Sequence, residues 1–138
     1  MRVFAKMVAI AVLGLAAAAC GGGDDGINEP VSIAGTYNLQ TIDGEAPPVV
    51  VYEEPGFKVE ITSGNFILAA SGSFSTTVVW RLTEDNVVTT ETETFPGTYT
   101  VNGSTVNFAY SDGDSDSATL AGNTLTFTDG GSTAVFRK

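Results

Sequence analysis

Three groups of side chains in this sequence have the types and spacing to do chemistry: "SDGDSDS" at 111–117, "TTETETF" at 89–95, and a single cysteine, Cys20. In the first, Asp112, Asp114 and Asp116 recur at every second position, the spacing at which a calcium-binding loop offers carboxylate oxygens. The complete loop also needs glycine at its sixth position and glutamate at its twelfth, where this chain has Ser117 and Asn123. The three aspartates are therefore weak metal candidates, and the run reads as a solvated hairpin loop whose charge opposes edge pairing. In the second group, Glu91 and Glu93 share one face of a strand with Val87 and Phe95, and a carboxylate pair about 5 to 10 Å apart is what glycoside hydrolysis requires. Such pairs normally come from different strands around a cleft. Two glutamates on one strand read as a solvent-facing row, with an acidic lining of a cavity mouth as the alternative. The chain contains no histidine, which removes Ser-His-Asp and Cys-His catalysis and the usual zinc ligands. It has no phosphate loop of the Gly-x-x-x-x-Gly-Lys-Ser/Thr kind either, so no catalytic residue and no cofactor is expected, and the chain does not read as an enzyme.

Cys20 has a different context. Arg2 and Lys6 flank the start, Met7 to Ala19 carries no charged side chain, and a run of alanines that ends in Ala17, Ala18 and Ala19 precedes the cysteine. Positive, apolar and small residues in that order make a secretory signal peptide over 1–19, and the apolar run is short of the ~20 residues a membrane-spanning helix takes. One cysteine cannot form an internal disulfide, so its presence in an exported chain needs another reason. The segment resembles bacterial lipoproteins, in which a peptidase cuts before a cysteine that carries a diacylglyceryl group. That resemblance implies lipidation at Cys20 and a membrane partner reached through its acyl chains. Ala17 stands where the family usually has leucine. Gly21, where inner-membrane lipoproteins of enteric bacteria often carry aspartate, implies the outer membrane of a bacterial cell envelope. The mature chain would keep only Lys58, Arg81, Arg137 and Lys138 against 16 acidic residues, a net charge of −12. Nucleic acid is excluded as a partner on that balance, because its affinity rests on basic side chains displacing counterions. The sequence names no protein partner.

Residues 20–31, "CGGGDDGINEPV", cannot bury a core and read as a lipidated cysteine on a flexible linker. From Ser32 the hydrophobic period becomes two. Tyr37 and Leu39, Phe57, Val59 and Ile61, Phe74, Val78, Trp80 and Leu82, Val106, Phe108 and Tyr110, then Leu125 and Phe127 alternate with polar residues. Turn signals fall between them at Asp43-Gly44, Pro55-Gly56, Ser63-Gly64-Asn65, Glu84-Asp85-Asn86, Asn102-Gly103, Gly122-Asn123 and Asp129-Gly130-Gly131. "VNGSTVNF" at 101–108 and "LAGNTLTF" at 120–127 repeat one hairpin pattern. The fold class is all-β: an antiparallel up-and-down meander over 32–138, closed as an eight-stranded barrel, with a β-sandwich as the alternative. The segment Ala46 to Gly56, "APPVVVYEEPG", is unusually apolar for a connection and reads as a contact loop or an edge strand.

"IAGTYNLQTIDGEAPP", "GTYTVNGSTVNFAYSDGDSDSATLAGNTLTFTDGG" and "AVFRK" together resemble small bacterial lipoproteins with a lipocalin-like domain. Gly35-Thr36-Tyr37 is similar to the Gly-x-Trp that opens the first lipocalin strand, with tyrosine replacing tryptophan. The resemblance implies that a terminal arginine, Arg137, packs over Tyr37. It also implies a barrel that takes a small apolar or amphipathic ligand, for which Phe74, Trp80, Phe108 and Phe127 are the candidate lining. Eight strands enclose an interior that side chains either fill or leave open for one small ligand. A protein-interaction or inhibitor-like module and a structural envelope component are the other readings.

Overall fold

Short alternating runs become strands because one row of side chains can leave water while the other stays in it. The computed structural model describes residues 32–138, so the expected signal peptide, Cys20 and linker lie outside the described residues. Nine strands follow one another: β1 (Gly35–Ile42), β2 (Val49–Glu54), β3 (Phe57–Leu68), β4 (Ser73–Glu84), β5 (Val87–Asn102), β6 (Thr105–Tyr110), β7 (Ser115–Ala121), β8 (Thr124–Asp129) and β9 (Ser132–Arg137). Every pairing is antiparallel, in the order β1-β9-β8-β7-β6-β5-β4-β3-β2. The circle closes where Gly35–Asn38 of β1 meets Leu68–Asn65 of β3. Eight strands therefore form a closed up-and-down barrel, as the alternation implies, and β2 stands beside the other half of β3. The apolar segment at Ala46 to Gly56 is thus an edge strand.

The strands are unequal, and the inequality shapes the molecule. β3 and β4 have 12 residues and β5 has 16, whereas β6, β8 and β9 have 6 each. β4 and β5 pair without a register shift from Ser73↔Thr98 to Glu84↔Val87, while β6 takes only Gly97–Asn102 of β5. The excess length of β3, β4 and β5, with β2 alongside, rises past the rim as a four-stranded tongue. Its two tips meet where the Asp85 amide donates to the Gly56 carbonyl at 2.9 Å. At the opposite pole the chain enters β1 and leaves β9, and the Lys138 amide donates to the Asn123 carbonyl of the β7–β8 turn.

The barrel is held by its inward row. Tyr37, Phe66, Phe74, Val78, Val106, Phe108, Ala118, Leu125, Phe127, Ala134 and Phe136 are all buried. The repeated hairpin pattern delivers equivalent plugs, Val106 with Phe108 and Leu125 with Phe127. One expected turn is absent: Ser63-Gly64-Asn65 runs through the middle of β3, at a bulge between Ile61 and Ser63. Gly64 is there for close approach rather than for turning. A Cβ on it would lie 3.4 Å from the Thr77 carbonyl and 3.7 Å from Leu39, whose side chain crosses that point as β1 closes on β3. The reversal falls instead at Ala69–Gly72, where the Gly72 amide donates to the Ala69 carbonyl.

Candidate functional site

Three of the four aromatics expected to line a cavity come together, and a fourth ring stands between them. Phe66 lies 4.8 Å from Phe127, 5.1 Å from Phe108 and 6.0 Å from Phe74, centroid to centroid, with Phe136 edge-on at 5.1 Å. Phe74 and Phe108 also meet edge to face at 5.0 Å. Rings at these separations pack as a core does, so they occupy the middle of the barrel. Trp80 stands apart, at the foot of the tongue, where its Nε1 donates to the Glu93 carboxylate at 3.2 Å.

That bond corrects the expectation for the glutamate row. β4 places Val78 opposite Glu93 and Trp80 opposite Glu91, and both β4 residues are buried on the inner face. Strand alternation then carries Glu91 and Glu93 inward with them. They line the mouth, the alternative reading, because the register with Trp80 decides their face. The rest of the tongue's inner face mixes apolar side chains with Glu84 and Thr89. Phe57 and Leu82 are half-buried, Tyr52 meets Phe57 edge-on at 6.0 Å, and Val87 is 66% exposed. Phe57, Leu82, Glu84, Val87, Thr89 and Glu91 line a shallow concavity of about 210 Å³. That is below the ~300 to 1,000 Å³ of a drug-sized pocket.

The tongue's outer face is polar and braced. Glu60, only 5% exposed, accepts from Arg81 Nε at 2.7 Å and pairs with Lys58 Nζ at 3.4 Å. The Arg81 hydrogen bond leads in holding the Glu60 carboxyl below its ordinary range, and Glu60 in turn raises Arg81. A larger concavity of about 550 Å³ lies on the outside of the barrel, where Thr98, Thr100, Asn107, Ser115, Ser117 and Thr128 alternate outward. Its hydroxyl and amide lining does not suit an apolar ligand.

The remaining sequence candidates separate. Asp112 and Asp114 sit in the β6–β7 turn, where the Asp114 amide approaches Asp112 Oδ1 at 3.4 Å, and Asp116 on β7 accepts from the Tyr110 hydroxyl at 3.1 Å. Among the described residues no group of three acidic, histidine or cysteine side chains is placed to hold a metal ion. The cation over Tyr37 is Lys138, its Nζ 5.4 Å from the ring centroid and donating to the Ala34 carbonyl at 3.1 Å. Arg137 is exposed, because Phe136 takes the inward place on β9 and alternation turns the next residue out. The Tyr37 hydroxyl donates to the Ile33 carbonyl at 2.8 Å, and burial pushes its pKa up. Cys20 lies outside the described residues.

The family model of the lipocalin-like domain matches residues 33–127, which spans the closed barrel from the approach to β1 into β8. The chain belongs to the lipocalin-like domain family. A crystal structure of a lipocalin-like protein from Bacteroides uniformis is similar at 19% sequence identity, covering 77% of this chain and 97% of that one with a TM-score of 0.45. No curated protein sequence matches. The lipocalin-like fold is typically a binding fold, and it often takes small hydrophobic ligands. In this lipocalin-like chain sequence reasoning missed two features of the tongue: Phe57 and Leu82 as an open apolar face, and the unmatched length of β5. The last had a signal in the sequence, since no turn residue interrupts the nine positions from Val87 to Phe95.

Proposed function

We propose that this protein is a lipid-anchored, non-enzymatic binding protein of the bacterial cell envelope, and that its small amphipathic ligand lies on the inner face of the tongue rather than in the barrel's middle. The observation that carries the reading is the pairing of the apolar side chains Phe57, Leu82 and Val87 with the carboxylates of Glu84, Glu91 and Glu93 on the same face. An apolar chain covers the first, and a cationic or hydrogen-bond-donating head group meets the second. The ring-filled barrel supports the same choice, because a ligand in its middle would have to displace buried phenylalanines. Acylation of Cys20 would attach the chain at the pole where it enters β1, so the tongue would point away from the bilayer. An amphiphile shed from the membrane, or arriving from outside, would meet the open face first.

Trp80 is the one tryptophan in the chain and borders this face, so its emission is the reporter. Titration with decylamine below its micelle concentration should shift Trp80 emission saturably, whereas decanoate, with the same chain and a negative head, should not. Leu82→Asp should abolish the response. Equal responses to both amphiphiles, or none to either, would overturn the ligand reading. For the anchor, metabolic labelling with an alkynyl fatty acid should mark the wild-type chain and not Cys20→Ser; labelling of both would refute attachment at Cys20.

A further inference from the structure

Among the described residues the tongue leaves a long strand edge uncovered, and that edge has its own chemistry. Pro96 directs its carbonyl to the β6 side, where the amide of Ser111, the residue after β6, donates to it at 3.0 Å, while the Tyr99 amide turns the other way, to the Gly72 carbonyl at 2.8 Å. Backbone groups alternate sides along a strand, and β5 pairs with β4 without a shift, so the amides and carbonyls of Val88, Thr90 and Thr92 point away from β4. Among the described residues no strand stands on that side of Val87–Thr92. The edge opens on two exposed valines, Val87 at 66% and Val88 at 59%, and its 16-residue strand carries no lysine. The other open edge of the tongue, β2, is blunted by a register shift between Val50 and Tyr52 and by Glu53 and Glu54 at its end.

We propose that the Val87–Thr92 edge of β5 takes an extended segment of a partner protein as an added antiparallel or parallel strand, with lysine or arginine at the alternate positions that face inward beside Glu91. Main-chain hydrogen bonds supply the affinity in this mode and the alternating side chains supply the selectivity. Charge selects the occupant. A second copy of this chain brings the same acidic strand with no basic side chain to set beside Glu91, and paired about Glu91 it would place two Glu91 side chains face to face, where directly opposed like charges destabilise a strand pair. A segment bearing basic side chains at those positions removes that repulsion, and the acidic chain as a whole attracts it. The inference goes beyond the amphiphile reading and does not depend on it, because it needs the backbone edge and not the apolar face of Phe57 and Leu82.

The test uses two synthetic nonapeptides, one alternating lysine with valine and the other glutamate with valine. The lysine peptide should protect the amides of Val88, Thr90 and Thr92 from hydrogen exchange, and the glutamate peptide should leave them unchanged. Thr90→Pro removes a donor from the free side without touching the β4 ladder, and should weaken binding of the lysine peptide at least tenfold. Glu91→Gln, which keeps the backbone intact, should weaken it several-fold and flatten its salt dependence. Leu82→Asp, which damages only the amphiphile face, should keep peptide binding. Equal binding of both peptides, protection confined to other strands, or full binding by a folded Thr90→Pro variant would overturn the proposal. So would concentration-dependent dimerisation that protects the same amides without peptide, which would assign the edge to a second copy.

Discussion

Phe66→Ala tests the claim that the barrel's middle is a packed core. Phe66 is 1% exposed and touches Phe127, Phe108, Phe136 and Phe74 at centroid separations of 4.8 to 6.0 Å, so its removal leaves a void walled by four rings that β-strands hold apart. Truncating a buried phenylalanine costs about 3 to 5 kcal/mol, the upper part of that range applying where the walls cannot collapse. A domain of this size is stable by about 5 to 15 kcal/mol, so the variant should fold but give up a large share of its margin. With a urea m-value of about 2 kcal/mol/M, a loss of about 4 kcal/mol moves the unfolding midpoint down by about 2 M. The assay is urea unfolding followed by Trp80 fluorescence, with Val88→Ala as the exposed control, expected within about 0.5 kcal/mol of wild type. The void should be apolar and dry, so benzene should raise the variant's midpoint and leave the wild type's unmoved. A loss below about 1.5 kcal/mol, or a wild type that benzene stabilises as much as the variant, would mean that the interior already holds open space.

Gly97→Ala should destabilise by about 1 to 3 kcal/mol or more, because the added methyl would collide with the Ala109 carbonyl oxygen and reach 2.6 Å from Phe74 Cε1; a neutral result in thermal melts would show that β5 can shift there. Glu60→Gln should change the pH dependence of stability in one direction. The folded-state pKa of Glu60 is lowered by Arg81, so its contribution is complete above the ordinary value of 4.5 and fades as pH falls through the lowered one. Wild type and variant should therefore differ by a constant amount near neutrality and converge in acid, as measured by urea midpoints across pH. Lys138→Ala should cost about 0.5 to 1 kcal/mol by loss of the cation over Tyr37, whereas Arg137→Ala should stay within about 0.5 kcal/mol of wild type; the reverse order in thermal melts would return the role to Arg137. In liposomes carrying the acylated protein, a dye on Asn123→Cys should transfer energy to a membrane acceptor more efficiently than the same dye on Asp85→Cys, and equal transfer would refute the orientation proposed for the anchor.

The barrel was legible because its signals are local. Alternation at Phe57, Val59 and Ile61 or at Val106 and Phe108 follows from one buried face, and Asp129-Gly130-Gly131 can do little but turn. Gly64 misled because a glycine flanked by serine and asparagine has the composition of a turn, while its use depends on Leu39 arriving from 25 positions upstream. The face of Glu91 and Glu93 was undecidable for a related reason. Strand period says that the two share a side, and only the pairing with Trp80 says which side it is. Lys138 and Arg137 differ by one position, and so by one face, and a resemblance at the level of "basic residue near the end" does not resolve a single step of alternation. Long-range register is what the linear pattern leaves out, and each of these corrections is a consequence of it.

The same geometry constrains where this barrel can bind anything. Its interior is committed to aromatic packing, and every wall from β6 to β9 pairs on both sides, so neither the middle nor those edges offer unsatisfied groups. The unmatched length of β3, β4 and β5 then creates what the closed barrel lacks: among the described residues, an amphipathic face without a facing wall and a strand edge without a neighbour. A span of 11 steps from Ser73 to Glu84 carries that surface about 37 Å along the strands from the β3–β4 turn. A tether from Cys20 would add ~18 Å between the bilayer and the closed pole. Had β6 matched β5 residue for residue, both features would be buried in the barrel wall. The strand mismatch is therefore the structural origin of the surface on which a ligand and a partner strand can act.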